Sequence, residues 1–413
     1  MKVLLQPALN DVNLDASQLN SQRQLAISIS AVSPSTNRTV PLNLCLILDR
    51  SGSMKGRPIE TVKQAANRLV DRLTYGDRLS VVVFDHRAKV LIPNQIVDDP
   101  EAIKAQINKL KAEGGTAIDE GMKLGIEELG KGKKEAISQA FLLTDGENEH
   151  GDDRRCLNFA QLAAEYNLTL NTLGFGDRWN QDILEKIADV AGGKLSYIQE
   201  VNRVEEEFGQ LFTSIQSIGL TNAHLLFSLG ANVRLAELKP IAQVAPDTIE
   251  LSGVEESDGR LAVRLGDLSK DVSRVVLANV YVGRLPQGKQ EIAQLQVRYD
   301  DPSQNQSGLL SEIVSVEANI ASNYQPQINP QVQTNILALA KYRQTQMAEA
   351  KLQQGDRSGA ATLLQTAAKT ALQMGDKNAA TVLQTSATRL QAGEELSESD
   401  RKKTRIVSKT VLQ

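Results

Sequence analysis

The chain has 413 residues, which is more than one ordinary hydrophobic core accommodates, so we expect two or three domains. Hydrophobic residues make up 41% of the sequence and charged residues 23%, and these proportions exclude a fibrous or wholly disordered protein. The formal net charge of −4 gives no global field that would attract nucleic acid or an anionic membrane, and two cysteines are too few for a disulfide scaffold.

The N-terminal residues predict neither a signal peptide nor a membrane anchor. The apolar run of Val3, Leu4 and Leu5 is much too short for either, and no later run is long enough to span a bilayer. We therefore expect a cytoplasmic protein with no membrane span.

Residues 1–38 alternate apolar and polar positions, which is typical of half-buried strands. The same period returns over 219–325, where turn sequences such as Asp258-Gly259 separate the strands. We predict an all-β sandwich domain to which both segments contribute. The strands predicted in the second segment are Ala223–Leu229, Val233–Leu238, Leu261–Leu265, Val275–Val282, Glu291–Tyr299 and Glu312–Ile320.

Residues 40–218 have a different pattern, in which continuous apolar runs alternate with helical spacing. Apolar runs of this length indicate parallel strands buried on both faces. We predict an α/β doubly wound, Rossmann-like domain inserted in the sandwich, with Lys89–Ile92 in an antiparallel hairpin at one sheet edge. The apolar runs are Leu42–Leu48, Leu79–Phe84, Ala140–Thr144 and Leu168–Phe175.

Residues 330–395 are alanine-rich and helical in pattern, and they contain an internal repeat. Gly355-Asp356 and Gly375-Asp376 each precede a similar helical segment, so that the glycine can end one helix and the aspartate can cap the next. We predict a C-terminal helical bundle over 330–395. Residues 396–413 are polar and basic, and we expect a polar tail that is a solvated helix end or a loose segment.

Three short segments supply oxygen-bearing side chains near the ends of predicted buried strands. Asp49, Ser51 and Ser53 follow the first apolar run, and Asp145 follows the third. In a doubly wound sheet the carboxyl ends of the strands form the ligand crevice, so these side chains should meet. Gly114 and Gly115 make a tight loop that can bring Thr116 over the same edge of the sheet. Two carboxylates and three hydroxyls are hard donors, which predict Mg²⁺, with Mn²⁺ or Ca²⁺ as alternatives, rather than zinc or copper.

The order of these segments resembles the von Willebrand factor A (VWA) domain with its metal-ion-dependent adhesion site (MIDAS), written Asp-x-Ser-x-Ser, then Thr, then Asp. The resemblance covers roughly residues 40–218, and the flanking sandwich and helical region are similar to bacterial and cyanobacterial proteins with this domain. An alternative stays open, because these residue types also favour helix caps and turns that need no metal. The resemblance implies five metal ligands, Asp49, Ser51, Ser53, Thr116 and Asp145.

Other polar residues near the predicted crevice are further candidates. Arg50, Asp177 and Trp179 lie close to predicted strand ends, and we predict them as a partner-binding rim, with helix packing as the alternative for the tryptophan. Asp119 falls in the first turn of a predicted helix and is expected to stabilise it rather than bind metal. The segment 147–150, which contains two glutamates and a histidine, is either a second site or a solvated loop.

The VWA resemblance implies recognition of a partner rather than turnover of a substrate. Since three of the five donors are neutral hydroxyls, the cation stays electrophilic, and a carboxylate from a protein partner can take the position left to solvent. We predict a metal-dependent protein-interaction module, adhesive or scaffolding, that is not an enzyme and binds no nucleic acid. The alternative is a metal-dependent hydrolase or a chelatase-type subunit working with a partner ATPase, although the sequence offers no convincing general base.

Overall fold

The computed structural model describes residues 1–32, 40–134, 136–200 and 203–410. They fall into two compact units, one comprising 1–33, 223–299 and 308–413 and the other 34–222 and 300–307. The predicted combination of an α/β domain, β-rich regions and C-terminal helices is confirmed. In the part of the chain that the structure describes, no helix is both long enough and apolar enough to cross a membrane.

The N-terminal segment consists of three strands. Residues of the third strand that face inward, Leu25, Ile27 and Ile29, are fully buried, as the period of two predicts. The first strand pairs antiparallel with the third along its whole length. The three strands are β1 (Lys2–Leu9), β2 (Asn13–Asp15) and β3 (Asn20–Val32).

The α/β unit follows, with six strands and six helices in alternation. Its strands are β4 (Leu42–Asp49), β5 (Arg78–Phe84), β6 (Ala88–Ile96), β7 (Ile137–Thr144), β8 (Thr169–Phe175) and β9 (Leu195–Ile198). Its helices are α1 (Arg57–Arg72), α2 (Pro100–Ile107), α3 (Ile118–Lys131), α4 (Asp153–Glu165), α5 (Gln181–Ala191) and α6 (Val204–Gln216).

These strands form one sheet in the order β6-β5-β4-β7-β8-β9. The pairs are parallel except for β5 with β6, which is the predicted antiparallel hairpin at the edge. All residues of β4 and β7 are buried, because α1, α2 and α6 cover one face of the sheet and α3, α4 and α5 cover the other. The register brings Asp49 beside Phe84 and Leu48 beside Leu143, so the central strands end at one level.

Helix α3 packs very close to the sheet through two glycines. A Cβ at Gly125 would come within 2.3 Å of Ile47 Cδ1, and a Cβ at Gly121 would come within 2.7 Å of Phe84 Cδ1. Because no side chain fits at such distances, the helix approaches the sheet only with glycine at both positions. This close approach fixes the N-terminal end of α3, which begins two residues after Thr116.

Ten further strands complete the β-rich region. One sheet has the order β1-β3-β16-β12-β13, with β11 beside β16, and the other has the order β14-β15-β10-β17-β19-β2, with β18 beside β17. The sequence patterns did not predict β12, β13, β14 or β18, which are three to five residues long. The strands are β10 (Ile218–Leu229), β11 (Val233–Leu235), β12 (Ile241–Ala245), β13 (Ile249–Leu251), β14 (Gly253–Glu255), β15 (Leu261–Ser269), β16 (Arg274–Gly283), β17 (Gly288–Asp301), β18 (Gln306–Leu310) and β19 (Val314–Ala321).

The pairing of β3 with β16 joins strands on either side of the α/β segment in the sequence. Their antiparallel register runs from Asn20 opposite Gly283 to Ile29 opposite Arg274. On the other sheet, β2 pairs with the end of β19. The N-terminal strands are therefore integral to both sheets of the β-rich region.

The C-terminal helices are α7 (Pro330–Gln353), α8 (Arg357–Gln373), α9 (Lys377–Gln391) and α10 (Glu398–Lys409). The internal repeat has the expected capping geometry. Gly355 and Gly375 have left-handed φ angles of 81° and 80°, which glycine adopts without strain. Asp356 and Asp376 then accept hydrogen bonds from backbone N–H groups in the first turns of α8 and α9, at 2.8 and 2.9 Å.

The segment 396–413, expected to be a polar tail, contains the packed helix α10. Ser397 caps it by accepting a hydrogen bond from the Asp400 N–H at 3.1 Å. Lys402, Thr404 and Ser408 are buried, and the Thr404 hydroxyl lies 2.9 Å from that of Ser386 on α9. The polar residues of this segment have partners inside the bundle, which composition alone does not reveal.

Two lysines of α7 bind the two capping aspartates of the repeat. Lys351 lies 3.0 Å from Asp356, and both side chains are about half exposed. Lys341 is fully buried, and burial lowers its pKa. Its Nζ donates to three acceptors, which are Asp376 Oδ2 at 3.2 Å, the Val407 carbonyl at 2.8 Å and the Thr410 carbonyl at 3.0 Å. Lys341 thus links α7 to the start of α9 and the end of α10.

A chain of residues 219–413 that lacks 1–38 should not unfold cooperatively, because β16 would lose the strand that pairs with it over ten positions. Joining 1–38 to 219–413 by a flexible Gly/Ser linker of about 15 residues should restore cooperative unfolding. Thermal melting followed by circular dichroism compares the two chains. A sharp transition in 219–413 alone would contradict the structural role of the N-terminal strands.

Replacing Lys341 by Met in the full chain should speed hydrogen exchange of the α10 amides about 10- to 100-fold, since the carboxylate and two carbonyls would lose their donor. The matched variant Lys351→Met removes a half-exposed pair and should change these rates less than about threefold. Hydrogen–deuterium exchange with mass spectrometry measures both. Equal effects of the two variants would show that Lys341 does not hold α10.

Candidate metal-binding site

Asp49 is the last residue of β4, and its carboxylate is fully buried between neighbouring segments. The backbone N–H of Ser51 donates to its Oδ1 at 2.7 Å, and the hydroxyl of Thr144, at the end of β7, donates to its Oδ2 at 2.6 Å. Burial, with a smaller contribution from the nearby Asp145 carboxylate, raises the pKa of Asp49 to about 6 even though these hydrogen bonds lower it. A bound cation would compensate this buried negative charge.

The two serine hydroxyls point to the same place as Asp145. Ser51 Oγ and Ser53 Oγ are 2.9 Å apart, and Ser53 Oγ donates to Asp145 Oδ1 at 2.7 Å. Ser51 Oγ lies 3.5 Å from the same carboxylate oxygen. Gly52 begins a single turn of 3-10 helix, Gly52–Met54, and its N–H donates to the Gly114 carbonyl.

Asp145 follows β7 directly and is only partly buried. Burial raises its pKa, whereas the hydrogen bonds from the serines and the positive charge of Arg178 lower it. Together with Asp49, it places a second carboxylate at the carboxyl edge of the sheet, as the sequence predicts.

The loop that carries Thr116 is joined by backbone hydrogen bonds to the segment that contains Ser51 and Ser53 and to the residue that follows β5. The Gly52 N–H donates to the Gly114 carbonyl at 2.9 Å, and the Ala117 N–H donates to the Asp85 carbonyl at 2.7 Å. Thr116 is buried, and a side chain added at Gly146 would come within 3.2 Å of its Oγ1. Thr116 therefore lies directly against the residue that follows Asp145.

The five predicted ligands lie at one edge of the sheet, and their chemistry suits a hard divalent cation. Their donors are two carboxylates and three hydroxyls, which is the oxygen set that Mg²⁺, Mn²⁺ and Ca²⁺ prefer. The capping alternative fits less well. Ser51 precedes the 3-10 turn and Ala117 precedes α3, and neither helix start has a side-chain capping hydrogen bond. The hydroxyls of Ser51 and Ser53 instead face each other and Asp145.

The predicted rim residues differ in their exposure and in the partners that their side chains contact. Arg50 is engaged on both terminal nitrogens, by Asp85 and by Glu113, the latter at 2.7 Å. Asp177 is exposed and accepts a hydrogen bond from the hydroxyl of Tyr197. Arg50 thus links its own loop to the loops that contain Asp85 and Glu113. Asp177 lies on the surface.

Trp179 does not belong to an exposed rim, because only 2% of its surface is accessible. The indole covers Gly174 of β8, where a Cβ would come within 2.2 Å of Trp179 Cε2. The Nε1 of the indole donates a hydrogen bond to the Gly176 carbonyl at 2.6 Å. Trp179 is therefore a buried packing residue, and its indole lies against strand β8. The missing side chain of Gly174 makes room for the ring, and only the folded strand shows this.

Other candidates from the sequence are also located. Asp119 lies in the first turn of α3, as expected, and forms an ion pair with Arg155 at 2.7 Å. Among the described residues, no group of three or more histidine, cysteine, aspartate or glutamate side chains is arranged to hold a metal, and this includes the segment 147–150. Sequence reasoning missed Thr144, which orients Asp49, and Arg178, whose position between two predicted rim residues was the available signal.

A doubly wound α/β sheet with these five oxygen-bearing residues at its carboxyl edge is the arrangement of a VWA-domain protein. A family model described as the von Willebrand factor type A domain matches residues 43–211, and one described as the Sll0103-like C-terminal alpha-helical domain matches residues 330–413. VWA domains mediate protein interactions, and some contain a MIDAS.

The chain belongs to the family of the protein sll0103 of Synechocystis sp., with 57% identity over all 413 residues and 98% of that relative. YfbK of Escherichia coli is 28% identical over 193 residues, which are 45% of this chain and 34% of YfbK, so the chain covers about a third of that relative. A von Willebrand factor type A protein from Catenulispora acidiphila has the same overall fold, with a TM-score of 0.83 at 20% identity, covering 99% of this chain and 97% of that one.

Mg²⁺ or Mn²⁺ should raise the melting temperature of the full chain, because a ligand that binds only the folded state stabilises it, by about 2.7 kcal/mol at a hundredfold excess over Kd. Asp49→Ala and Asp145→Ala should abolish this shift in differential scanning fluorimetry. Glu149→Ala removes an exposed carboxylate from the neighbouring loop and should keep the shift. Wild-type shifts in both ligand variants would disprove the site, and loss in Glu149→Ala would place a ligand in 147–150.

Proposed function

We propose that the protein holds one divalent cation, Mg²⁺ in the first instance and Mn²⁺ or Ca²⁺ as alternatives, at a MIDAS formed by five residues. Through this cation it binds an acidic residue of a protein partner. The protein acts as a metal-dependent interaction module, adhesive or scaffolding, and not as an enzyme. The ligands are Asp49, Ser51, Ser53, Thr116 and Asp145.

The observation that carries this proposal is the composition and exposure of the donor set. Two charged and three neutral oxygens leave a cation that still attracts an anionic oxygen, and five donors leave a six-coordinate Mg²⁺ one position short. Asp49, Ser51 and Thr116 are buried, whereas Ser53 is exposed and Asp145 is partly exposed. The site is therefore open on the side of Ser53 and Asp145, where a partner's carboxylate can approach.

The setting we propose is cytoplasmic, on the basis of the sequence. A net charge of −4 supports a protein partner rather than nucleic acid, since nucleic-acid binding depends on a positive surface. The carboxylate contact explains how such a protein can select an acidic partner without a strongly basic surface.

A pull-down from native lysate should recover a partner with wild-type protein in Mg²⁺ and lose it, by at least about tenfold, with chelator or with Asp145→Ala. The reason is that the contact passes through the cation. Glu149→Ala, which removes an exposed carboxylate from the neighbouring loop without removing a proposed ligand, is the matched control and should retain most of the partner.

The partner's contact residue provides the second arm of this test. Changing one acidic residue of the partner to its amide should reproduce the effect of the chelator. A partner captured equally well by metal-free protein would show that the site is not the interaction surface. Metal-dependent phosphatase activity that disappears in Asp145→Ala would favour the hydrolytic alternative instead.

A further inference from the structure

Arg178 lies at the same sheet edge as the metal ligands. In the register of β7 and β8, Thr144 lies beside Gly174, so Asp145, which follows β7, is level with Phe175, the last residue of β8. Arg178 follows three residues after Phe175, in the loop that leads to α5. The topology therefore places Arg178 at the same edge of the sheet as the half-buried carboxylate of Asp145.

The loop around Arg178 is fixed at both neighbouring residues. Asp177 accepts a hydrogen bond from Tyr197 of β9, and Trp179 is buried with its Nε1 bound to the Gly176 carbonyl. The Gly176 N–H in turn donates to the Ile198 carbonyl at 2.9 Å. The backbone of Arg178 is held in place while its side chain extends into solvent.

The guanidinium of Arg178 is free to bind a ligand. Its side chain is exposed, and in the described ranges of the chain no hydrogen bond or ion pair engages it. Arg50 differs, because Asp85 and Glu113 already neutralise its charge.

We propose that Arg178 is the specificity-determining residue that makes the site select an anionic carboxylate over a neutral oxygen ligand. This inference rests on the proposed function. A divalent cation and two aspartates are formally neutral together, so an incoming carboxylate carries a surplus negative charge. The guanidinium of Arg178 offsets that charge, and its planar donors suit a carboxylate oxygen that the metal leaves free.

The position of Arg178 has opposite consequences for its two ligands. Its positive charge repels the cation and attracts the carboxylate that binds afterwards. Removing the charge should therefore strengthen metal binding and weaken carboxylate binding. A merely structural residue would not produce this pair of effects, because damage to the fold weakens both.

The test uses the full chain with Mn²⁺, whose effect on water proton relaxation reports both metal binding and the displacement of bound water by acetate. Arg178→Ala should bind Mn²⁺ about two- to fivefold more tightly and acetate about two- to fivefold more weakly than wild type, as expected for one exposed charge. Arg178→Lys should keep affinities for Mn²⁺ and acetate near those of wild type. Arg178→Glu should strengthen Mn²⁺ binding and weaken acetate binding more than Arg178→Ala does.

The matched control is Lys134→Ala, which removes an exposed charge just before the amino end of β7, away from the site, and should change neither affinity. Unchanged acetate binding in Arg178→Ala, with acetate still displacing water in wild type, would overturn the role of Arg178 and leave the proposed function intact. Failure of acetate to displace water from wild-type protein would overturn the proposed function and this inference with it. Weaker binding of both Mn²⁺ and acetate would assign Arg178 a structural role.

Discussion

The burial of the Asp49 carboxylate is the constraint on which the rest of the site depends. A charged group at the end of a fully buried strand is costly unless hydrogen bonds and opposite charge compensate it. The hydrogen bonds come from Ser51, two residues further along the same segment, and from Thr144 at the end of the neighbouring strand β7. The same arrangement brings Ser51, Ser53 and Asp145 together, so the geometry that stabilises one buried carboxylate also creates a set of ligands.

The packing around the site explains why these five side chains lie together in the protein without a bound cation. Backbone hydrogen bonds join the three loops, and the close contact of Gly121 and Gly125 with the sheet fixes the helix behind Thr116. Little reorganisation is left for cation binding, which reduces its entropic cost. The site is thus rigid where the metal would bind and exposed where a partner would approach.

The sequence predicted those features that follow from local patterns. The buried runs predicted strands β4, β5, β7 and β8, and the rule that parallel strands end at one edge brought Asp49 and Asp145 together. Features that depend on long-range packing were missed. Trp179 is buried because Gly174 lacks a side chain, and α10 is ordered because Ser386 and other groups of the bundle meet its polar face. Gly174 is not adjacent to Trp179 in sequence, and Ser386 is not adjacent to α10. Short strands such as β12 were missed because they have too few residues to show a period of two.

The pairing of β3 with β16 also governs the order in which the chain can fold. These strands are more than two hundred residues apart in the sequence, so during synthesis at roughly 5–20 residues per second β3 waits tens of seconds for its neighbour. Meanwhile the α/β segment can fold around its own core. The long flexible loop between β3 and β16 then becomes a compact insert, which lowers the entropy cost of bringing these two strands together. Until then the edge of β3 that pairs with β16 stays open, and β1 and β3 alone make a two-stranded pairing that is at best marginally stable.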